Sequence, residues 1–122
     1  MHKLEIKLCG GPNEVRRARD ALLDRLPGSL SDVVTGDAAL LASELVSNMI
    51  QHTSGIGTMQ VTFIAGVLRI EVTDESPEMP TISPRAPMTV GGHGLRLVNA
   101  IAHRWGVDPM PAGKTVWFEL VA

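Results

Sequence analysis

Two alternating segments, Thr58 to Ile64 and Val67 to Thr73, meet through only Ala65 and Gly66, and so short a link admits an antiparallel hairpin but no crossover helix. In the second segment Leu68, Ile70 and Val72 alternate with Arg69 and Glu71, the pattern of a strand with one buried face. Helix-period stretches precede this hairpin; a proline-rich stretch, another helix-period stretch and a closing strand follow it. That order gives a two-layer α/β (α+β) sandwich, three helices on one face of a mixed, mostly antiparallel sheet, and not a βαβ succession. The 122 residues fit one domain, 1–122, with a single core and no internal repeat.

The remaining elements follow from spacing and breakers. Lys3 to Leu8 alternates as a short strand, and Gly10, Gly11 and Pro12 stop it before a helix from about Asn13 to Leu26. Val15, Ala18, Leu22, Leu23 and Leu26 form the apolar side of that helix. Pro27, Gly28 and Ser29 break the chain again. A long second helix then starts at Ser31 or Thr35, with Gly36 blurring its start, and runs to His52. Ala38, Leu41, Ala42, Leu45, Val46 and Met49 share one arc of it, and Glu44 and Asn48 lie at the edge of that arc. Between Asp74 and Gly92, Pro77, Pro80, Pro84 and Pro87 prevent regular structure and predict a surface loop suited to be a lid. A third helix is expected from about Gly94 to Trp105, ended by Gly106, and a last strand from Thr115 to Val121.

Composition narrows the function. A hydrophobic fraction of 44% and a charged fraction of 20% are those of a soluble globular protein. The formal net charge of -2 provides no field to attract nucleic acid, and an aromatic content of 3% without tyrosine gives no base-stacking surface. Cys9, the single cysteine, excludes an internal disulfide and suits a reducing compartment. No stretch is read as spanning a membrane, so a cytoplasmic location is the default expectation.

The chemistry starts with Glu44 and Asn48. A carboxylate and a carboxamide at i and i+4 project from the same side of a helix, so one can act as a base while the other holds a metal. The same pair also fits a solvated or capping role on a helix surface. His52, one turn further on, could touch phosphate, but closing the helix is the favoured reading. Other motifs fail on spacing. Gly113, Lys114 and Thr115 imitate the end of a Walker loop, yet Asp108 stands where its first glycine belongs and a strand follows. Leu97 occupies the last glycine of a dinucleotide fingerprint. The four histidines and Cys9 lack zinc spacing, and no G-x-S-x-G is present.

Taken in order, SELVSNMIQH, VTDESP, GGHGLRLV and GKTVWFEL resemble the N box and the three glycine boxes of the histidine-kinase-like ATPases of the gyrase, chaperone, kinase and MutL superfamily. Within it the chain is most similar to the stand-alone bacterial anti-sigma-factor serine kinases. The resemblance implies a Bergerat-type fold that binds ATP with Mg²⁺. It implies Asn48 as the Mg²⁺ ligand and Glu44 as the general base accepting the proton of the attacking hydroxyl. Asp74, ending RIEVTD, would accept from the adenine amino group, and Thr115 would contact the same base edge through water. Gly91, Gly92 and Gly94 would open a helix whose amides favour phosphate, with His93 and Arg96 as charge partners. The first glycine box departs from the family's D-x-G-x-G: Ser76, Pro77 and Glu78 follow Asp74 and Glu75, and neither glycine is present.

The resemblance further implies transfer of the ATP γ-phosphoryl group to a serine or threonine of a STAS-type antagonist, together with binding of a sigma factor. Relatives often pair, so a homodimer is a further expectation. The altered first box keeps alternatives open: a non-catalytic nucleotide-binding module, or a nucleotide-free interaction module of the same fold.

Overall fold

The computed structural model describes residues 2–52, 56–74, 90–111 and 113–122. The elements run β1 (His2–Cys9), α1 (Glu14–Arg25), α2 (Asp32–His52), β2 (Ile56–Ile64), β3 (Val67–Asp74), α3 (Val90–Ile101), β4 (Arg104–Met110) and β5 (Gly113–Val121). The strands form one sheet in the order β1-β2-β3-β5-β4, and every neighbouring pair is antiparallel. Three helices against one open sheet is the two-layer sandwich expected from the order of elements.

Alternation sorts the sheet into two faces. Leu4, Ile6, Met59, Val61, Leu68, Ile70, Val72, Val116 and Phe118 point to the inner face and are buried in one core with Ala18, Leu22, Leu41, Leu45, Val46, Leu95 and Val98 of the helices. The arc expected along α2 is buried throughout: Ala38, Leu41, Ala42, Leu45, Val46 and Met49. By length and composition alone Asp32–Gln51 could cross a membrane, in contrast to the expectation that no stretch would. In the fold it is a core helix, with that arc packed into the core. The Ser31 hydroxyl accepts from the Val34 N–H at 3.2 Å and starts α2 at the earlier of the two anticipated positions.

The hairpin turn is as tight as its length demands. Ala65 and Gly66 both take left-handed backbone angles, φ 51° and 80°, which let the turn twist with its strands.

The structure corrects the sequence reading around the third helix. It begins at Val90 and ends at Ile101, and the chain then enters a strand that the periodicity did not announce. The His103 N–H donates to the Glu119 carbonyl, and Gly106 lies opposite Trp117 in β4 instead of terminating a helix. A Cβ at Gly106 would come within 2.8 Å of the Trp117 ring, so the glycine makes room for the indole. Pro109 is tolerated because β4 is an edge strand.

Candidate functional site

The end of α2 lies over the end of the β2–β3–β5 ladder, and Gly57 makes that approach possible. Gly57 faces Asp74 across the β2–β3 pairing. A Cβ there would sit 2.0 Å from the Thr73 carbonyl oxygen and 3.1 Å from Met49 Sδ. Gly57 therefore allows close packing of Met49, and with it the last turns of α2, against the strand that ends in Asp74.

Asn48, next to Met49, is 5% exposed, and its Oδ1 is buried with no hydrogen-bond partner among the described residues. A carbonyl oxygen withdrawn from water without a donor costs free energy that a cation or a donating ligand would recover. Glu44, one turn earlier, is half-buried. Asn48 and Asp74 are thus brought to the same end of the sheet, with Glu44 beside Asn48 on the helix.

Asp74 does not stand alone. In the β3–β5 register it lies opposite Lys114, and the Lys114 ammonium is 3.2 Å from Asp74 Oδ1 with each side chain only 3% exposed. The sequence reading missed Lys114, which it met only as part of a false Walker loop. The signal lay in the order of the two strands: aligning RIEVTD against GKTVWFEL as antiparallel neighbours puts the lysine across from the aspartate.

Thr115 goes elsewhere. Consecutive strand residues face opposite sides, so with Lys114 inward Thr115 turns to the outer face. There its Oγ1 lies 2.8 Å from that of Thr73, and it donates to Met110 Sδ at 3.2 Å. Thr115 and Asp74 thus face opposite sides of the sheet, and the inward position across from Asp74 belongs to Lys114.

Gly91, Gly92, His93 and Gly94 fall in the opening turns of α3, where backbone N–H groups lack helical acceptors. The side chains of His93 and His52 lie outside the described residues, as do 75–89, which hold the altered first glycine box and most of the expected lid. Arg96 is half-buried on α3. No cluster of three or more His, Cys, Asp or Glu side chains suited to a metal occurs among the described residues. Mg²⁺ usually keeps several non-protein ligands, and a single buried carboxamide oxygen such as that of Asn48 is a donor of the kind that fits it.

A cleft opens at the corner between β1 and α1, lined by Cys9 to Glu14 and Arg17. It contains none of the anticipated site residues. Its buried acid, Glu14, accepts from the Cys9 N–H at 2.7 Å and from Arg17 Nε at 2.5 Å.

Comparison with known proteins agrees with the fold. The family model described as the histidine kinase-like ATPase domain matches residues 11–120. No curated protein matches the chain. Among solved structures, the RsbU and RsbW domains of Rv1364c from Mycobacterium tuberculosis superpose with a TM-score of 0.75 at 19% identity, over 98% of this chain and 32% of that one. The Erythrobacter litoralis EL346 blue-light activated histidine kinase gives 0.61 at 20% identity, over 93% of this chain and 42% of that one. Its histidine kinase domain gives 0.59 at 21% identity, over 88% and 59%. The chain thus spans less than two thirds of each of these structures, and identities this low establish a shared fold.

Proposed function

Because the chain belongs to the histidine kinase-like ATPase domain family, we infer that it binds Mg-ATP between α2 and the inner face of the sheet. We further infer that it passes the γ-phosphoryl group to a serine or threonine hydroxyl of a partner protein. The observation that supports this most directly is the buried Asn48 oxygen without a donor among the described residues, one turn from Glu44 and at the sheet end that carries Asp74. Glu44 takes the proton of the attacking hydroxyl as its oxygen bonds to the γ-phosphorus, and ADP departs. Asn48 holds the metal, Asp74 accepts from the adenine amino group, and the amides of the first turn of α3 face phosphate. Mg²⁺, when bound, neutralises charge that develops on the phosphate oxygens.

The partners proposed are a STAS-type antagonist as phosphoacceptor and a sigma factor as the sequestered protein. Both rest on the resemblance of the sequence boxes to anti-sigma-factor serine kinases, and the fold shared with the RsbU and RsbW domain structure is consistent with them. A homodimer and a cytoplasmic location belong to the same proposal.

One observation favours a second reading. The Asp74 carboxylate already has an ammonium beside it, as a nucleotide-free interaction module of this fold would require. Thermal unfolding with and without Mg-ATP separates the two, because a ligand specific for the folded state raises Tm with its concentration. A rise supports the nucleotide site; no rise at millimolar Mg-ATP selects the interaction module. Labelled phosphate should then reach a STAS protein, and Glu44→Gln should abolish the transfer while the Tm rise persists. Transfer that survives in that variant removes Glu44 from its role as base.

A further inference from the structure

The most unusual feature of the candidate site is a full ion pair in its wall. Lys114 and Asp74 are each 3% exposed at the side chain. Ionised groups withdrawn from water this far are costly, and an apolar pair of similar volume would hold two strands together at least as well. The pair sits where the β3–β5 ladder ends, beside Gly57 and Met49 and on the inner side of the sheet, and Met49 is the neighbour of Asn48, whose oxygen has no partner among the described residues. Thr115, the residue from which a second contact to a base would be expected, is on the other side of the sheet, bonded to Thr73.

A carboxylate only accepts hydrogen bonds and an ammonium only donates them, and a single ammonium can serve several acceptors at once. Side by side they offer an acceptor next to a donor. The edge of adenine has the complementary order, an amino donor at N6 next to an acceptor at ring nitrogen N1. Guanine presents a carbonyl acceptor and then an N–H donor, so it would have to turn over in the pocket to satisfy the same two groups.

Resting on the nucleotide-binding reading above, we propose that Lys114 is a specificity-determining residue that donates to adenine N1 while Asp74 accepts from N6. Lys114 thereby supplies, from the adjacent position in the strand, the second base contact that Thr115 cannot reach.

The test compares ATP with 1-deaza-ATP, which keeps the N6 amino group and replaces N1 by C–H, and with 7-deaza-ATP, which keeps both N6 and N1. Each is titrated into the full chain with Mg²⁺ by calorimetry. A lost hydrogen bond to a charged donor weakens 1-deaza-ATP about 10- to 100-fold relative to ATP, while 7-deaza-ATP binds like ATP. In Lys114→Met the ratio between ATP and 1-deaza-ATP shrinks to about one, whatever the loss for ATP itself. If that variant fails to fold, the comparison on the unaltered protein decides by itself. ATP and 1-deaza-ATP binding equally well, or the two deaza analogues weakened alike, would overturn the role of Lys114 and leave the nucleotide site standing. Absence of binding by all three nucleotides would overturn the nucleotide site and the proposal together.

Discussion

Two buried acids, Glu14 and Asp74, have cations as neighbours, yet they hold different positions in the energetics of the molecule. Glu14 caps the corner between β1 and α1: one carboxylate oxygen accepts from the Cys9 N–H, the other from Arg17, and Arg17 also donates to the Lys7 carbonyl. Arg17 is half-exposed there, so the charge it brings remains largely hydrated. Further along the same end of the sheet, on β3 and β5, both members of the Asp74–Lys114 pair are out of water, and Asn48 has an oxygen with no donor among the described residues. The first arrangement fastens a strand to a helix with each polar atom of the acid engaged. The second leaves a buried acceptor without a donor among the described residues, the kind of deficit that a bound ligand can make good.

The largest effect is expected at the dry pair. Lys114→Met leaves the Asp74 carboxylate buried without its cation and should cost about 3–5 kcal/mol in urea unfolding at pH 7. Adding Asp74→Asn to that variant removes the stranded charge and should restore most of the loss. A single variant within about 1 kcal/mol of the unaltered protein would mean that Asp74 reaches water, and the contrast between the two corners would disappear.

At the β1–α1 corner the loss should be smaller and should depend on pH. Glu14→Gln weakens the bonds to Cys9 and Arg17 and should cost about 1–3 kcal/mol at neutral pH. Burial raises the Glu14 carboxyl, but hydrogen bonds from Arg17 and from the Cys9 N–H outweigh it and hold it below the ordinary 4.5. A depressed folded value stabilises the fold above about the unfolded pKa, and that contribution is lost as pH falls through the folded one. The gap between the variant and the unaltered protein should therefore be full at pH 7 and close on acidification below 4.5. Glu119 acts in the same sense: partial burial raises it, and Arg69 and Arg104 lower it further than that. The variant should accordingly retain part of its acid sensitivity, and a gap that stays constant down to acid pH would show that Glu14 contributes by packing alone.

These residues also mark where the sequence was legible. Local signals fixed most elements: the apolar arc of α2, the Ala65–Gly66 turn and the alternation of β3 each appear where the residue types place them. The strand β4 was hidden because Leu95, Val98, Ile101 and Trp105 continue a helical spacing. Its pairing with β5, from Arg104 opposite Glu119 to Met110 opposite Gly113, draws that segment into the sheet. Asn48 and Asp74 were singled out by their motifs, but the orientation of Thr115 and the partner of Asp74 depended on register between strands far apart in sequence. Gly57 was missed for the same reason, since its need for a bare Cα comes from Met49 and the Thr73 carbonyl oxygen. Glu14 carries no local mark in the sequence, since nothing near it shows that the Cys9 N–H turns back to meet it.

The smallest change in stability should accompany the most informative loss. In Asn48→Ala the carboxamide oxygen that disappears has no donor in the described structure, so its removal relieves an uncompensated acceptor while leaving a small void. The two effects oppose each other, and without nucleotide the variant should unfold within about 1 kcal/mol of the unaltered protein. With Mg-ATP the two should separate: the unaltered protein gains Tm with ligand concentration, and the variant, lacking its metal oxygen, gains little. A large cost in the absence of ligand would place Asn48 with Glu14, as a residue that holds the fold together, and would withdraw the Mg²⁺ role from it. An undiminished response to Mg-ATP would withdraw that role equally, and would move the metal to ligands outside α2.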